Sequence, residues 1–142
     1  MFIDSQEAFA EAQSVAAAAG DITSTNVYDT GAAADIGIGE NMYLTAKMNA
    51  ALVGAGASIQ VVLQDSADNS SFADKIVGPT VGVATATANK NLAKIKLPIG
   101  LRRYLRVVFR ISGATTTGGT ASAYLVKDLD AQQYLPSGVS AT

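Results

Sequence analysis

Apolar and polar residues alternate with period two along most of this chain, in short runs separated by turn-forming residues. In residues 41–50, Met42, Leu44, Ala46 and Met48 oppose Tyr43, Thr45, Lys47 and Asn49. In residues 58–65, Ile59, Val61 and Leu63 oppose Ser58, Gln60, Val62 and Gln64; further on, Ala93, Ile95 and Leu97 oppose Lys94 and Lys96. The next run sets Leu105, Val107, Phe109 and Ile111 against Arg102, Tyr104, Arg106, Val108 and Arg110. A last run sets Ala121, Ala123 and Leu125 against Ser122, Tyr124 and Val126. Period two is the spacing of a half-buried strand, whose successive side chains point to opposite faces. A helix fits the arginine run worse, because Val107, Val108, Phe109 and Ile111 would spread over several of its faces.

Less regular segments complete the set. "STNVYDT" (24–30) predicts a short strand closed by Gly31, and residues 8–15 predict a weak strand whose alanines also permit a helix. Residues 76–88 are β-branched but broken by Gly78-Pro79 and Gly82, which suits an edge strand or a bulge. Gly54–Ala57 reads as a turn, residues 66–75 as a polar loop, and "TTTGGT" (115–120) as a hairpin turn. The expectation is an all-β chain: an antiparallel β-sandwich, a jelly roll of about eight strands. It occupies residues 1–128 with an N-terminal arm, and residues 129–142, with Pro136, Gly138 and small side chains, form an extended C-terminal tail.

Composition supports this. The chain of 142 residues is long enough to bury roughly 68–70% of the surface its unfolded form exposes, so the fold needs no metal or disulfide. Only 15% of residues are charged. Cysteine and histidine are absent, which removes the usual zinc sites and the Cys-His and Ser-His-Asp nucleophile systems. The opening "MFIDSQEAFAEAQ" lacks a basic n-region, so no secretory signal is expected, and no apolar run approaches a membrane span. A soluble product of the cytosol is the expectation.

Charge changes the picture more. The net charge is −2, yet every acid except Asp128 and Asp130 lies in residues 1–74 and every base except Lys47 and Lys127 in residues 75–110. Two accounts stay open: acids and bases pair across strands of one subunit, or the basic strip meets an acidic surface on another chain.

Candidate chemistry is thin. "GAGA" and "GIGE" lack the third glycine of a dinucleotide loop and the Lys-Ser/Thr of a P-loop, so both read as turns. "DSADNSSFAD" offers Asp65, Asp68 and Asp74, but Ala67 and Ser70 stand where a calcium loop wants an oxygen ligand and a glycine; a solvated loop is favoured, with interfacial calcium the one version kept open. Asp35 and Glu40 flank "IGIG", which reads as a loop. No catalytic constellation stands out, so neither an enzyme, a cofactor nor a small-molecule substrate is expected. A nucleic-acid grip would use alternate guanidiniums with Tyr104 between them, against a chain of acidic pI, about 4.9. A carbohydrate- or receptor-binding module would want exposed aromatics, and Trp is absent. Protein–protein contact remains, for which Arg suits both bidentate carboxylate pairing and stacking. The expected contact set is Arg102, Arg103, Tyr104, Arg106 and Arg110, with Phe2 and Ile3 of the apolar N-terminus.

The segments "MFIDSQEAFAEAQ", "STNVYDTGAAADIGIGENMYL", "LPIGLRRYLRVVF" and "GGTASAYLVKD" resemble, in that order, the small capsid cement proteins of tailed phages typified by a Bordetella phage. The most telling elements are Ile3-Asp4, Asp35-Ile36-Gly37 with Gly39, and Arg103-Tyr104-Leu105 after Pro98 and Gly100. The resemblance implies a jelly-roll subunit, made in the host bacterial cytoplasm, that forms a homo-dimer or homo-trimer. It also implies a place on the outer capsid surface of the virion, clamping capsomers of the major capsid protein against genome pressure. It implies no catalysis; the absence of a membrane-length apolar run and the acidic chain argue, from the residues themselves, against a membrane or nucleic-acid partner.

Overall fold

The computed structural model of the chain describes residues 8–29, 43–97 and 101–126. Expectations for Phe2, Ile3, Met42, the "IGIG" loop, the turn at Pro98 and Gly100 and the tail at 129–142 fall outside these residues. The described chain contains nine strands and no helix: β1 (Ala8–Ser14), β2 (Gly20–Thr23), β3 (Tyr28–Asp29), β4 (Tyr43–Val53), β5 (Ser58–Ser66), β6 (Ala73–Gly82), β7 (Asn91–Lys96), β8 (Tyr104–Ser112) and β9 (Gly118–Val126). They form one sheet of four, ordered β1-β9-β4-β7, and one of five, ordered β2-β8-β5-β6 with β3 also on β8. Every pairing is antiparallel.

The wiring is that of a jelly roll. β2 and β3 line the same edge of β8 as one interrupted strand. The outermost strands then pair with each other (β1 with β9), the next pair inside them (β2 and β3 with β8), then β4 with β7, and the middle two (β5 with β6). A double-stranded ribbon has been rolled until β9 meets β4 and β8 meets β5.

Period two explains which side of each sheet is inside. Leu44, Ala46, Met48, Ala121, Ala123 and Leu125 of the four-stranded sheet are buried, as are Ile59, Val61, Leu63, Leu105, Val107, Phe109 and Ile111 of the other. Together they form one core, to which burying each large side chain contributes about 1.5–3 kcal/mol. Val62 and Val108 are buried on the outer face, where they stand opposite each other across β5 and β8.

Three sequence expectations shift. Residues 8–15 form a strand, not a helix, but an irregular one. Its register against β9 slips twice, and Ala12 takes a positive φ of 47°. The Ala12 N–H is met by Ser122 Oγ at 2.8 Å, and Ser122 in turn donates to Asn49 Oδ1. The strand expected at 24–30 is displaced and broken. Pairing begins earlier, at Gly20, and Ser24 ends it by donating to Asn26 O at 2.9 Å, turning the chain before β3. "TTTGGT" is not a hairpin turn, because β8 and β9 lie in different sheets and Gly118 already belongs to β9. The expectation for residues 76–88 is met at the end of the five-stranded sheet. There β6 is the edge strand, and its register against β5 slips between Gln60↔Thr80 and Val62↔Val77, leaving Gly78-Pro79 in the bulge.

At one end of the sandwich the β4–β5 and β8–β9 connections pass so closely that backbone lies on backbone. Gly113 has φ +84°, and a Cβ there would run into the Gly56 carbonyl oxygen. Gly56 has φ +78° but faces open space. The two positions therefore separate conformational strain from steric collision. Gly56→Ala is expected to cost about 1–2 kcal/mol, the strain alone. Gly113→Ala is expected to cost clearly more, read as denaturation midpoints; equal losses would show that the two connections do not press together.

Candidate functional site

The arginine face is built on β8, which pairs with β5 along one edge and with β2 and β3 along the other. Tyr104, Arg106 and Arg110 are all half-buried on the outer side of that strand, and Arg102 and Arg103 sit at its mouth. Arg106 and Arg110 are four residues apart on one face, roughly 13 Å along the strand, so each guanidinium has room for its own partners from the strands alongside. Those partners come from this chain.

Arg110 lies directly opposite Asp21 of β2 and grips it in two parallel bonds, Nε to Oδ1 at 2.7 Å and Nη2 to Oδ2 at 3.0 Å. On its other side Nη1 and Nη2 reach Asp74 Oδ2 of β6, each at 3.3 Å. Asp74 also accepts from Gln64 Nε2 at 2.7 Å, and Gln64 Oε1 accepts from Arg106 Nε at 2.8 Å. The Arg106 guanidinium then lies over the Phe72 ring, 3.9 Å from its centre, within cation–π range. One continuous network thus crosses β2, β8, β5 and β6. Arg103 forks onto Asp29 of β3, with bonds of 2.8 and 3.0 Å, and its charge lies 5.0 Å from the Tyr104 ring centre.

Asp65 is the deepest member, with no solvent exposure. Its carboxylate accepts from Arg102 through Nε at 3.1 Å, Nη2 at 2.8 Å and the backbone N–H at 2.9 Å, while Arg102 Nη2 also reaches the Asp65 carbonyl at 2.9 Å. Lys75 Nζ stands 3.9 Å away. Burial pushes the Asp65 carboxyl up, but the Arg102 bonds and the two positive charges outweigh it and hold the group below its ordinary value. At Asp21 the Arg110 bond dominates and lowers the carboxyl in spite of some burial. Their aspartate bonds raise Arg102, Arg103 and Arg110, so these three stay fully charged at any pH the protein meets.

The internal ladder, one of the two accounts of the charge segregation, is therefore realised. Arg102, Arg103 and Arg110 are each engaged by carboxylates of their own chain and Arg106 by Gln64, so none of the four guanidiniums is free of an internal partner. The cause is topological. Rolling the ribbon lays the acidic first half of the chain on both sides of β8. Sequence reasoning missed Gln64 and Phe72 as partners of Arg106, and Asp21, because β2 went unread. The signal for Gln64 was available in its outward position on β5. The aspartates weighed as calcium ligands go separate ways: Asp65 to Arg102, Asp74 to Arg110, and Asp68 into its own turn. There Asp68 Oδ1 accepts from the Ser71 and Ser70 N–H groups and from Ser66 Oγ, which pulls its pKa down to about 2.

Residues 9–125 match the Bbp16 family, a span that begins in β1 and ends in β9 and so takes in every strand of both sheets. The chain belongs to the Bbp16 family. Bbp16 is a protein family of a Bordetella phage, so this is a phage protein and an association with the virion follows. No curated protein matches the sequence. In this Bbp16-family chain the matched span contains all five residues of the arginine face and all the carboxylates that hold it.

Two outcomes test the ladder. Arg110→Met should lower stability by about 1 kcal/mol, the scale of a networked, partly exposed ion pair, while Arg102→Met should cost more than Arg103→Met, because it strands a buried carboxylate instead of an exposed one. Thermal melts of the three variants give the ranking. The second outcome is pH dependence. A carboxylate lowered in the folded state adds stability that is complete above its unfolded value near 3.8 and is lost as the pH falls through the folded value. The penalty of Asp21→Asn, measured by denaturant titration, should be full at neutral pH and fade as the pH drops below that value; a penalty unchanged by acid would mean that Asp21 is not held as a charged partner.

Proposed function

We propose that this chain is a structural cement protein of a phage head, acting as a homo-oligomer that binds the major capsid protein from outside and ties neighbouring capsomers together against genome pressure. The observation that carries the reading is the Bbp16 match across the whole described sandwich. Two features of the molecule support it. The jelly roll is a closed, antiparallel two-layer body whose ladders resist shear. The arginine network adds side-chain links across the strands of the five-stranded sheet, stiffening the plate. A clamp needs stiffness and many copies; each contact adds only a few kcal/mol, and repetition over the shell multiplies the effect. On this reading the protein performs no catalysis and takes no cofactor. A nucleic-acid module fits less well, since the guanidiniums that would meet phosphates already meet aspartates.

The decisive experiment adds purified protein to empty, expanded phage heads that lack it. Symmetric density at capsomer junctions by electron microscopy, with heads that survive higher temperature, is the expected result. Protein that stays in solution with heads while retaining DNA on a filter at physiological salt would replace this reading with a nucleic-acid role.

A further inference from the structure

With the arginines engaged internally, the free positive charge of the described chain lies on the opposite sheet. Lys94 and Lys96 of β7 and Lys47 of β4 are exposed, and the register places them on one face. Lys96 stands beside Tyr43, Lys94 beside Thr45, and Lys47 beside Asn91; Tyr124 of β9 flanks Thr45 from the other side. Lys90 is exposed in the loop that enters β7. Among the described residues none of these four ammonium groups has an ion-pair partner. The described acid on this sheet is Glu11 of β1, at the far edge, three strand spacings or about 14 Å from β7, beyond a Debye length of about 8 Å at physiological salt.

Folding alone does not account for this arrangement. Lysines one and two positions apart on a sheet face repel each other. Edge protection explains lysine on β7, since charge on an edge strand discourages sheet-to-sheet pairing. It does not explain Lys47, because β4 lies inside the sheet between β9 and β7. The half-buried Tyr43 and Tyr124 beside the lysines are residues favoured in protein interfaces.

We propose that the outer face of the four-stranded sheet at its β7 edge, formed by Lys47, Lys94 and Lys96 beside Tyr43 and Tyr124, docks on a carboxylate-rich patch of a partner protein. The proposal rests on the cement reading, for which the partner is the head surface. Protein carboxylates fit better than nucleic acid, because a chain of net charge −2 is repelled by a long polyanion whereas a local acidic patch meets only the lysines.

The test compares Lys94→Glu/Lys96→Glu and Lys94→Arg/Lys96→Arg with the wild type on the same expanded heads, after thermal melts establish that all three are folded. The expected result is attachment weakened tenfold or more in the glutamate variant at low salt, a gap that narrows at high salt, and wild-type attachment in the arginine variant. Wild-type attachment by the glutamate variant overturns this inference alone. Failure of the wild type to attach overturns the cement reading as well. A glutamate variant that loses its oligomeric state by sedimentation, or a wild type that prefers DNA to heads, also overturns it, by giving the face to a second copy or to nucleic acid.

Discussion

The arginines along β8 are held by partners from neighbouring strands, aspartates and one glutamine, and in this protein the delivery of those partners depends on the roll of the chain. β8 carries the row; its neighbours, β2 and β3 on one edge and β5 on the other, come from the acidic first half of the sequence, and β6 lies one strand beyond β5. Asp21 and Asp29 arrive from one side, Asp65 and Gln64 from the other, and Asp74 from the strand beyond. The segregation of charge along the sequence is the linear image of this spatial pairing. Had β8 been placed at an edge, half of its arginines would have lacked a counter-charge.

The two outer faces thus differ in chemistry although both are basic by sequence. On the five-stranded sheet positive charge is carried by Arg, whose planar fork holds a carboxylate in two bonds and fixes strand against strand. On the four-stranded sheet it is carried by Lys, a hydrated point charge on a flexible stem that makes no ion pair among the described residues. On the proposed reading, the division matches stiffening on one side with adaptable, salt-sensitive contact on the other.

Much of the fold was legible in the sequence because period two is imposed by burial. Leu105, Val107, Phe109 and Ile111 could only face inward together, and they do. The failures lie where side-chain hydrogen bonds override the pattern. Ser24 and Asn26 interrupt what reads as one strand, and β1 keeps Phe9 and Ala10 buried side by side by bulging, which no alternation signals. The arginines were found and their partners were not. Alternation tells which face a residue takes, whereas partnership depends on strand order, and strand order is set by the rolling of the whole ribbon. Nor does any pattern in the sequence mark Gly113 as the point where two connections press together.

The position of β9 has a consequence for how the molecule is made. Among the described residues it is the last strand to leave the ribosome, yet it sits inside its sheet, between β1 and β4. Until it arrives, those two strands have unpaired backbone edges and an uncovered apolar side, while the five-stranded sheet already has every strand it needs. Synthesis therefore passes through a half-built stage with one layer able to form and the other waiting, and the long sequence separation between β1 and β9 makes the final closure a slow, late event. Until that strand is translated, the open edges of β1 and β4 are also available to neighbouring chains.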